Sequence, residues 1–133
     1  MKRIAIIVTV GAVIAIWVVR SSAPAPEQAK SEAHQLAARD ALSAIQRCDD
    51  LHRQPGIRFN DCIDEAKDAL DFSKNRATNS SESNMDIALF NYLIEVQRAA
   101  LDWQYPDQVS EAERERKLAD LFNARMLATQ AVY

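Results

Sequence analysis

The sequence predicts an all-α protein, in which an N-terminal transmembrane or signal helix precedes a small antiparallel bundle of three or four helices. An unbroken apolar run lies near the N-terminus, and apolar residues recur at helical spacing through the rest of the chain. Glycine occurs only twice in 133 residues, while alanine, leucine, glutamate and arginine are frequent. This composition favours helices over strands.

The N-terminal apolar run extends from Ile4 to Val19 and is flanked by the basic residues Lys2, Arg3 and Arg20. As a helix it rises about 24 Å, slightly less than the roughly 30 Å hydrocarbon layer of a bilayer. The flanking basic side chains can reach the headgroups and make up the difference. The run therefore has the pattern of a short membrane anchor.

A cleavable signal peptide is the alternative, since its apolar region usually has about 7–15 residues. The small residues that could mark a cleavage site are each followed by proline, Pro24 or Pro26, which offers a peptidase no N–H. We therefore predict a retained anchor over residues 1–20, a linker over 21–26 and an exported domain over 27–133. Release into the periplasm after cleavage is the alternative localisation.

The distribution of charge predicts the orientation and narrows the class of partner. Basic residues precede the apolar run, so the N-terminus is expected in the cytoplasm and the domain in the periplasm of a bacterium, attached to the inner membrane. Without Lys2, Arg3 and Arg20, the 16 basic residues fall to 13 against 19 acidic ones, a formal charge of −6. Such a domain repels phosphate backbones, which argues against nucleic-acid binding.

The first bundle helix is predicted from about Glu27 to Arg53, ended by the turn at Pro55-Gly56. His34 and His52 fall on its apolar side, about 27 Å apart along the axis, which is too far for a shared metal. Both are expected to be boundary or solvated histidines. The apolar face at 3.6-residue spacing comprises Ala38, Ala41, Leu42, Ile45 and Cys48.

The two cysteines, Cys48 and Cys62, allow a single intramolecular pairing. In an oxidising compartment we expect a disulfide that closes a short loop around the Pro55-Gly56 turn and stabilises the domain by about 3 kcal/mol. No Cys-x-x-Cys motif is present, which argues against a redox role.

The second helix is predicted to begin after Asn60 as N-cap, and it carries the most concentrated charge feature of the chain. We call these carboxylates the acidic ridge: Asp61, Asp64, Glu65, Asp68 and Asp71. Their spacing places them on one flank of the helix, where they serve either as a solvated face that complements the helix dipole or as a docking strip for a basic protein surface.

A polar loop is predicted from Asn75 to Ser83, and Ser83 is expected to cap a third helix that ends near Gln104. Its first apolar stripe contains Met85, Leu89, Tyr92, Leu93, Val96, Ala100 and Trp103. Its second stripe, on the opposite side, contains Ile87, Phe90, Ile94 and Leu101. A helix apolar on both sides is expected at the centre of the bundle, unless the bundle is too small to cover the second stripe, which is then an interface.

The fourth helix is predicted to open at the capping box that runs from Ser110 to Glu113. Its apolar stripe contains Leu118, Leu121, Phe122, Met126, Ala128 and Val132. The turn at Tyr105-Pro106-Asp107 separates it from the third helix.

Motifs that carry catalysis or hold cofactors are missing from the sequence. Glu-x-x-His, Cys-x-x-Cys-His, Gly-x-Ser-x-Gly and a glycine-rich phosphate loop do not occur. The carboxylates are expected on solvent faces, whereas general acid catalysis needs a desolvated one. We therefore predict a non-catalytic protein without metal or cofactor.

The sequence favours a membrane-anchored envelope protein that acts as a protein–protein interaction or accessory module. Its expected partner is another envelope protein or a second copy of itself, contacted through the acidic ridge and through Ile87, Phe90 and Ile94. Two alternatives are an immunity or inhibitor protein against an exported toxin, and a bundle that binds an apolar ligand or haem, the latter between Met85 and a histidine.

Overall fold

The computed structural model describes residues 26–133, with side chains described from Glu32 onward. This part of the chain contains no strand, and its helices are α1 (Pro26–Asp50), α2 (Ile57–Lys74), α3 (Ser80–Gln104) and α4 (Glu111–Val132), with a 3₁₀ turn at Pro106–Gln108. The all-α bundle is thus confirmed. None of the described helices has the length and apolarity needed to cross a bilayer, and the predicted anchor, residues 1–20, lies outside the described residues.

The helices form an antiparallel bundle in which one diagonal pair, α1 and α3, is in contact and the other pair, α2 and α4, is not. Connections of five or six residues reverse the chain between successive helices. Within the described chain α1 and α3 each contact all the other helices, whereas α2 and α4 do not touch. The central pair α1 and α3 is therefore covered by α2 on one side and by α4 on the other. The core between them includes Leu42, Ile45, Phe59, Ile63, Leu70, Leu89, Tyr92, Leu93, Val96, Leu121 and Val132.

The boundary between α1 and α2 differs from the sequence prediction. α1 ends at Asp50, and α2 begins at Ile57 directly after Gly56. Asn60 lies inside α2, where its N–H donates to the Gly56 carbonyl oxygen at 2.9 Å, so the predicted N-cap was wrong. The first turn of α2 also carries no acidic residue. The reason is packing, because Phe59 is buried and reaches the core on the same helical face as Ile63 only if the helix starts before it.

The start of α3 also lies earlier than predicted. Asn79, not Ser83, is the N-cap, and its side-chain oxygen accepts a hydrogen bond from the Glu82 N–H at 2.9 Å. Glu82 Oε1 accepts in return from the Asn79 side-chain amide at 3.0 Å and from the Thr78 N–H at 3.1 Å. This reciprocal arrangement is a variant of the capping box, in which Glu82 reaches the N–H of the residue before the cap.

The fourth helix begins where the sequence predicts but buries fewer of its apolar residues than the predicted stripe contains. Ser110 Oγ accepts from the Glu113 N–H at 3.2 Å, which confirms the predicted cap. Only Leu121, Ala128 and Val132 of the helix are buried. Phe122 and Met126 were expected in its apolar stripe and are exposed. That part of the prediction was wrong because α4 packs against α3 and α1 alone and leaves its outer side uncovered.

The predicted disulfide between Cys48 and Cys62 is confirmed. It joins the last turn of α1 to the first half of α2 across the Pro55-Gly56 turn, with Cα atoms 5.6 Å apart. Cys48 is fully buried and Cys62 packs against the core. The bond therefore fixes the α1–α2 hairpin at its closed end.

Candidate functional site

The acidic ridge lies on the solvent-exposed surface of α2. All five of its carboxylates are exposed: Asp61, Asp64, Glu65, Asp68 and Asp71. Ala66 and Leu70 on the opposite side of the helix are buried in the core, so the ridge points away from the bundle. Asp64 also lines a hollow of about 420 Å³ between α2 and α3 beside the Pro55-Gly56 turn. The role of the ridge in docking stays a prediction.

The second stripe of α3 is largely left uncovered by the bundle. Ile87 is 55% exposed and Phe90 is 43% exposed, while Ile94 is half-buried. Leu101 is exposed as well. Because α2 and α4 lie on opposite flanks of the central pair, no element of the described chain covers this side of α3.

Lys74, the last residue of α2, borders the exposed stripe. Its ammonium lies 5.0 Å from the centroid of the Phe90 ring, within the range of a cation–π contact. Lys74, Ile87 and Phe90 line a hollow of about 260 Å³. The structure thus brings Ile87 and Phe90 together with the end of α2, whereas Ile94 does not line this hollow.

A longer groove runs between α3 and α4, with a volume of about 660 Å³. We call it the α3–α4 groove. Its apolar lining consists of Ile87, Ala88, Ala124, Leu127 and Ala131. Its polar lining consists of Asn84, Asn91, Glu95, Asp120 and Asn123. The groove was not predicted from the sequence, because Leu127 was assigned to no apolar stripe, and in the structure it is 62% exposed beside α3.

A buried polar group, here called the His34 cluster, joins three helices. It consists of His34 from α1, Ser73 from α2, and Glu82 and Asp86 from α3, all buried. His34 Nε2 lies 3.1 and 3.0 Å from the two Asp86 carboxylate oxygens, and the Ser73 hydroxyl donates to Asp86 Oδ1 at 2.6 Å. His34 Nδ1 lies 3.3 Å from Glu82 Oε2. One imidazole thus lies between two carboxylates.

The contacts of the His34 cluster favour a structural role. Ser73 is completely buried, and its hydroxyl donates to Asp86, so it is not presented to a substrate. Both ring nitrogens of His34 face carboxylates on opposite edges of the ring, which leaves neither open to a haem iron. Charged groups this deeply buried are tolerated when they are paired, and here the pairing fixes α1 against α2 and α3.

A second buried group, the Asp49 cluster, lies at the other end of α1. The Tyr92 hydroxyl of α3 donates to Asp49 Oδ2 at 2.6 Å, and His52 Nδ1 lies 3.2 Å from Asp49 Oδ1. The Arg125 guanidinium of α4 lies 3.6 Å from Asp49 Oδ2. The Asp49 cluster therefore links α1 to α3 and α4, as the His34 cluster links α1 to α2 and α3.

Both histidines were expected at boundary or solvated positions, and that prediction was wrong. His34 is 0% exposed and His52 is buried as well. The signal was present in the sequence, because both fall on the apolar side of the predicted first helix, where an unpaired polar side chain would be costly, although in the structure His52 lies in the turn after α1. Their partners could not be found from spacing, since His34 and Asp86 are 52 residues apart. The carboxylates Asp49, Glu82, Asp86 and Asp102 are likewise buried instead of solvated.

The Asp49 cluster makes stability depend on pH. Burial would raise the pKa of Asp49, but hydrogen bonds from His52 and Tyr92, together with Arg125, outweigh burial and hold it below its usual value. The hydrogen bond to Asp49 raises the pKa of His52 against the opposing effects of burial and Arg53. Burial and the bond to Asp49 raise the pKa of Tyr92 as well.

These directions fix the pH range in which the cluster stabilises the fold. The contribution of Asp49 is present above its unfolded pKa of about 3.9 and is lost as the pH falls through the lower folded value. The contribution of His52 is present below its unfolded pKa of about 6.5 and is lost as the pH rises through the higher folded value. The Asp49 cluster therefore stabilises the protein most between about pH 4 and 6.5.

We expect the free energy of unfolding to fall between pH 6 and pH 9 and expect His52→Asn to remove most of this fall. The asparagine amide can take the place of Nδ1 as donor to Asp49 but does not titrate. Urea unfolding of both proteins at several pH values and constant salt measures the effect. If the free energy of unfolding of His52→Asn fell as steeply with pH as that of the native protein, the pH dependence would belong to other groups.

A third contact holds α4 to the end of α3. Lys117 Nζ donates to Asp102 Oδ1 at 2.6 Å, and Asp102 is almost completely buried. Next to it, the Trp103 ring has the guanidinium groups of Arg53 at 5.4 Å and Arg114 at 5.1 Å from its centroid. These contacts attach the first turns of α4 and the turn after α1 to the same end of α3.

Comparison with protein-family models, with curated proteins and with solved structures gives no match for this chain. Among the residues that the structure describes, no three histidine, cysteine, aspartate or glutamate side chains converge on a point where a metal could lie. The exposed apolar and acidic surfaces of α2, α3 and α4 are therefore the candidate binding sites.

Proposed function

We propose that this chain is a membrane-anchored module of the cell envelope whose helical domain binds another envelope protein and catalyses no reaction. Its N-terminal residues 1–20 hold the domain at the outer side of the inner membrane. The binding surface comprises the exposed stripe of α3 and the adjoining groove. The domain acts by holding or placing its partner close to the membrane.

The observation that carries this proposal is the exposure of the second stripe of α3. Ile87 and Phe90 stay in solvent on the helix that lies at the centre of the bundle. Contiguous apolar surface with a polar border is typical of protein–protein binding sites. The stripe borders the α3–α4 groove, since Ile87 lines both the groove and the hollow beside Phe90.

The buried polar clusters support a binding role over a catalytic one. Each joins side chains from three helices, and a buried carboxylate in each accepts a hydrogen bond from a hydroxyl and lies beside an imidazole. Such groups stabilise one arrangement of helices and give a rigid scaffold on which a surface can be presented. The exposed carboxylates of the acidic ridge would speed association with a basic partner.

Site-specific photo-crosslinking in membranes of the host cell tests this proposal. With p-benzoylphenylalanine in place of Phe90 in the full chain, we expect one dominant adduct with another envelope protein. With the same crosslinker in place of Glu115, an exposed polar residue of α4, we expect no adduct. Placing aspartate at Ile87 should lower the Phe90 adduct by about tenfold, since a residue central to an interface contributes roughly 1.4–2 kcal/mol. Deletion of residues 1–20 should lower it too, because the domain then leaves the membrane.

The outcomes separate this proposal from its alternatives. The proposal would be contradicted if only the uncrosslinked monomer were recovered and if this result did not change when residues 1–20 were deleted. An adduct with an exported enzyme or toxin, together with loss of that enzyme's activity on binding, would instead identify an inhibitor.

A further inference from the structure

The α3–α4 groove has the dimensions of a binding site for one helix. Its lining positions recur every three or four residues over 84–95 on α3 and over 120–131 on α4. Each span covers about three helical turns, or roughly 16 Å. Small side chains at Ala88, Ala124 and Ala131 let a third backbone approach, as interaxial distances of about 8–10 Å require.

The charges of the groove lie toward one end. α3 and α4 run antiparallel, and the bond between Asp102 and Lys117 sets their alignment. Residue 95 is therefore level with the region of residue 124, and residue 88 with that of 131, so Glu95 and Asp120 lie toward the same end. The other end is lined by Asn84, Ile87, Ala88 and Ala131, which carry no charge, and Leu127 lies near the middle.

No basic residue lines the groove to balance these two carboxylates. Glu95 Oε1 pairs with Arg98 at 3.1 Å, whereas its Oε2 is buried and has no hydrogen-bond partner in residues 32–133. Arg98 is itself exposed and does not line the groove, so Glu95 and Asp120 leave this end of the groove negatively charged, and a cationic side chain from a partner would complement that charge. The occupant should therefore bring positive charge to this end.

We infer that the groove binds an amphipathic helix of the partner protein, about three turns long, with an apolar stripe and a lysine or arginine at the end next to Glu95 and Asp120. This inference rests on the proposed function and specifies the partner's contacting element. A second copy does not meet the requirement, because a symmetric contact would place one concave, acidic groove against another and bring no cation through this face.

Photo-crosslinking from Leu127 of the full membrane-anchored chain tests the inference. We expect an adduct in which the crosslinked partner segment, identified by mass spectrometry, has apolar residues at helical spacing and a basic residue at one end. Asp120→Lys, at an exposed position, should lower the yield by about three- to tenfold, as reversal of a partly exposed ion pair implies.

Filling the groove gives an independent measurement with a matched control. Ala131→Trp places an indole in the groove from an exposed position and should lower the adduct yield about tenfold, the effect of roughly 1.4 kcal/mol. Ala119→Trp, also exposed on α4 but outside the groove lining, should leave the yield unchanged. Circular dichroism of both variants shows whether the helices are intact.

Each other outcome overturns the inference. An adduct from Phe90 without one from Leu127 leaves the proposed function standing and removes the groove from it. An adduct of Leu127 with a second copy, with lipid, or with a partner segment that lacks the apolar spacing or the basic residue contradicts the inferred occupant. Equal yields from the two tryptophan variants exclude the groove as the binding site.

Discussion

Asp86→Ala is expected to lower the free energy of unfolding by about 3 kcal/mol or more, because two buried polar groups lose their hydrogen-bond partner and each such loss costs about 1–3 kcal/mol. The substitution deletes both carboxylate oxygens that face His34 Nε2 and the acceptor of the Ser73 hydroxyl. It leaves these groups buried without their partner. For a domain of this size the melting temperature should fall by roughly 12 °C or more.

Urea unfolding followed by circular dichroism measures this effect, with Asp68→Ala as the matched control. Asp68 is an exposed carboxylate of the acidic ridge, and its replacement should change the free energy of unfolding by less than about 0.5 kcal/mol. Equal effects of the two substitutions would show that the His34 cluster does not hold the helices together. Asp86→Asn keeps an acceptor for the Ser73 hydroxyl, so its effect on the free energy of unfolding should lie between those of Asp86→Ala and Asp68→Ala.

Loss of the disulfide is the second large effect that we expect. Replacing Cys48 and Cys62 together with alanine should lower the free energy of unfolding by about 3 kcal/mol, because the unfolded chain regains the freedom of a closed loop with a sequence separation of 14 residues. Differential scanning calorimetry, with and without a reductant, measures the change.

The reductant supplies the control for this prediction. It should destabilise the native protein by a similar amount and leave the double alanine variant unchanged. A native melting temperature that does not respond to complete reduction, verified by thiol titration, would show that the bond contributes little to stability. The comparison also separates the loss of the bond from the loss of cysteine side-chain volume.

The helices were predictable from local patterns, and most of the errors arose where two signals competed. Apolar spacing and the capping box at Ser110 placed α4 correctly. Asn79 and Ser83 were both plausible caps for α3, and the reach of Glu82 back to Thr78 and Asn79 decided between them. That choice depends on side-chain geometry, which residue spacing does not contain.

The candidate binding surface was partly predictable, whereas the buried clusters were not. The exposed stripe containing Ile87 and Phe90 follows from a helix apolar on both sides in a bundle with few helices to cover it. The pairs His34 with Asp86 and Asp49 with Tyr92 join residues 52 and 43 positions apart. Such pairings depend on how the helices align in three dimensions, so a single sequence read by periodicity does not reveal them.

The uneven attachment of α4 has a consequence for how the domain opens. The disulfide and the His34 cluster hold α1, α2 and α3 to one another, while α4 buries only three side chains and touches α2 nowhere in the described chain. We therefore expect partial unfolding to begin with detachment of α4 and expect its amide hydrogens to exchange with solvent sooner than those of the other helices. A ligand that bridges α3 and α4 would slow that exchange, because it would hold α4 against α3. Binding in the α3–α4 groove would therefore make α4 more rigid.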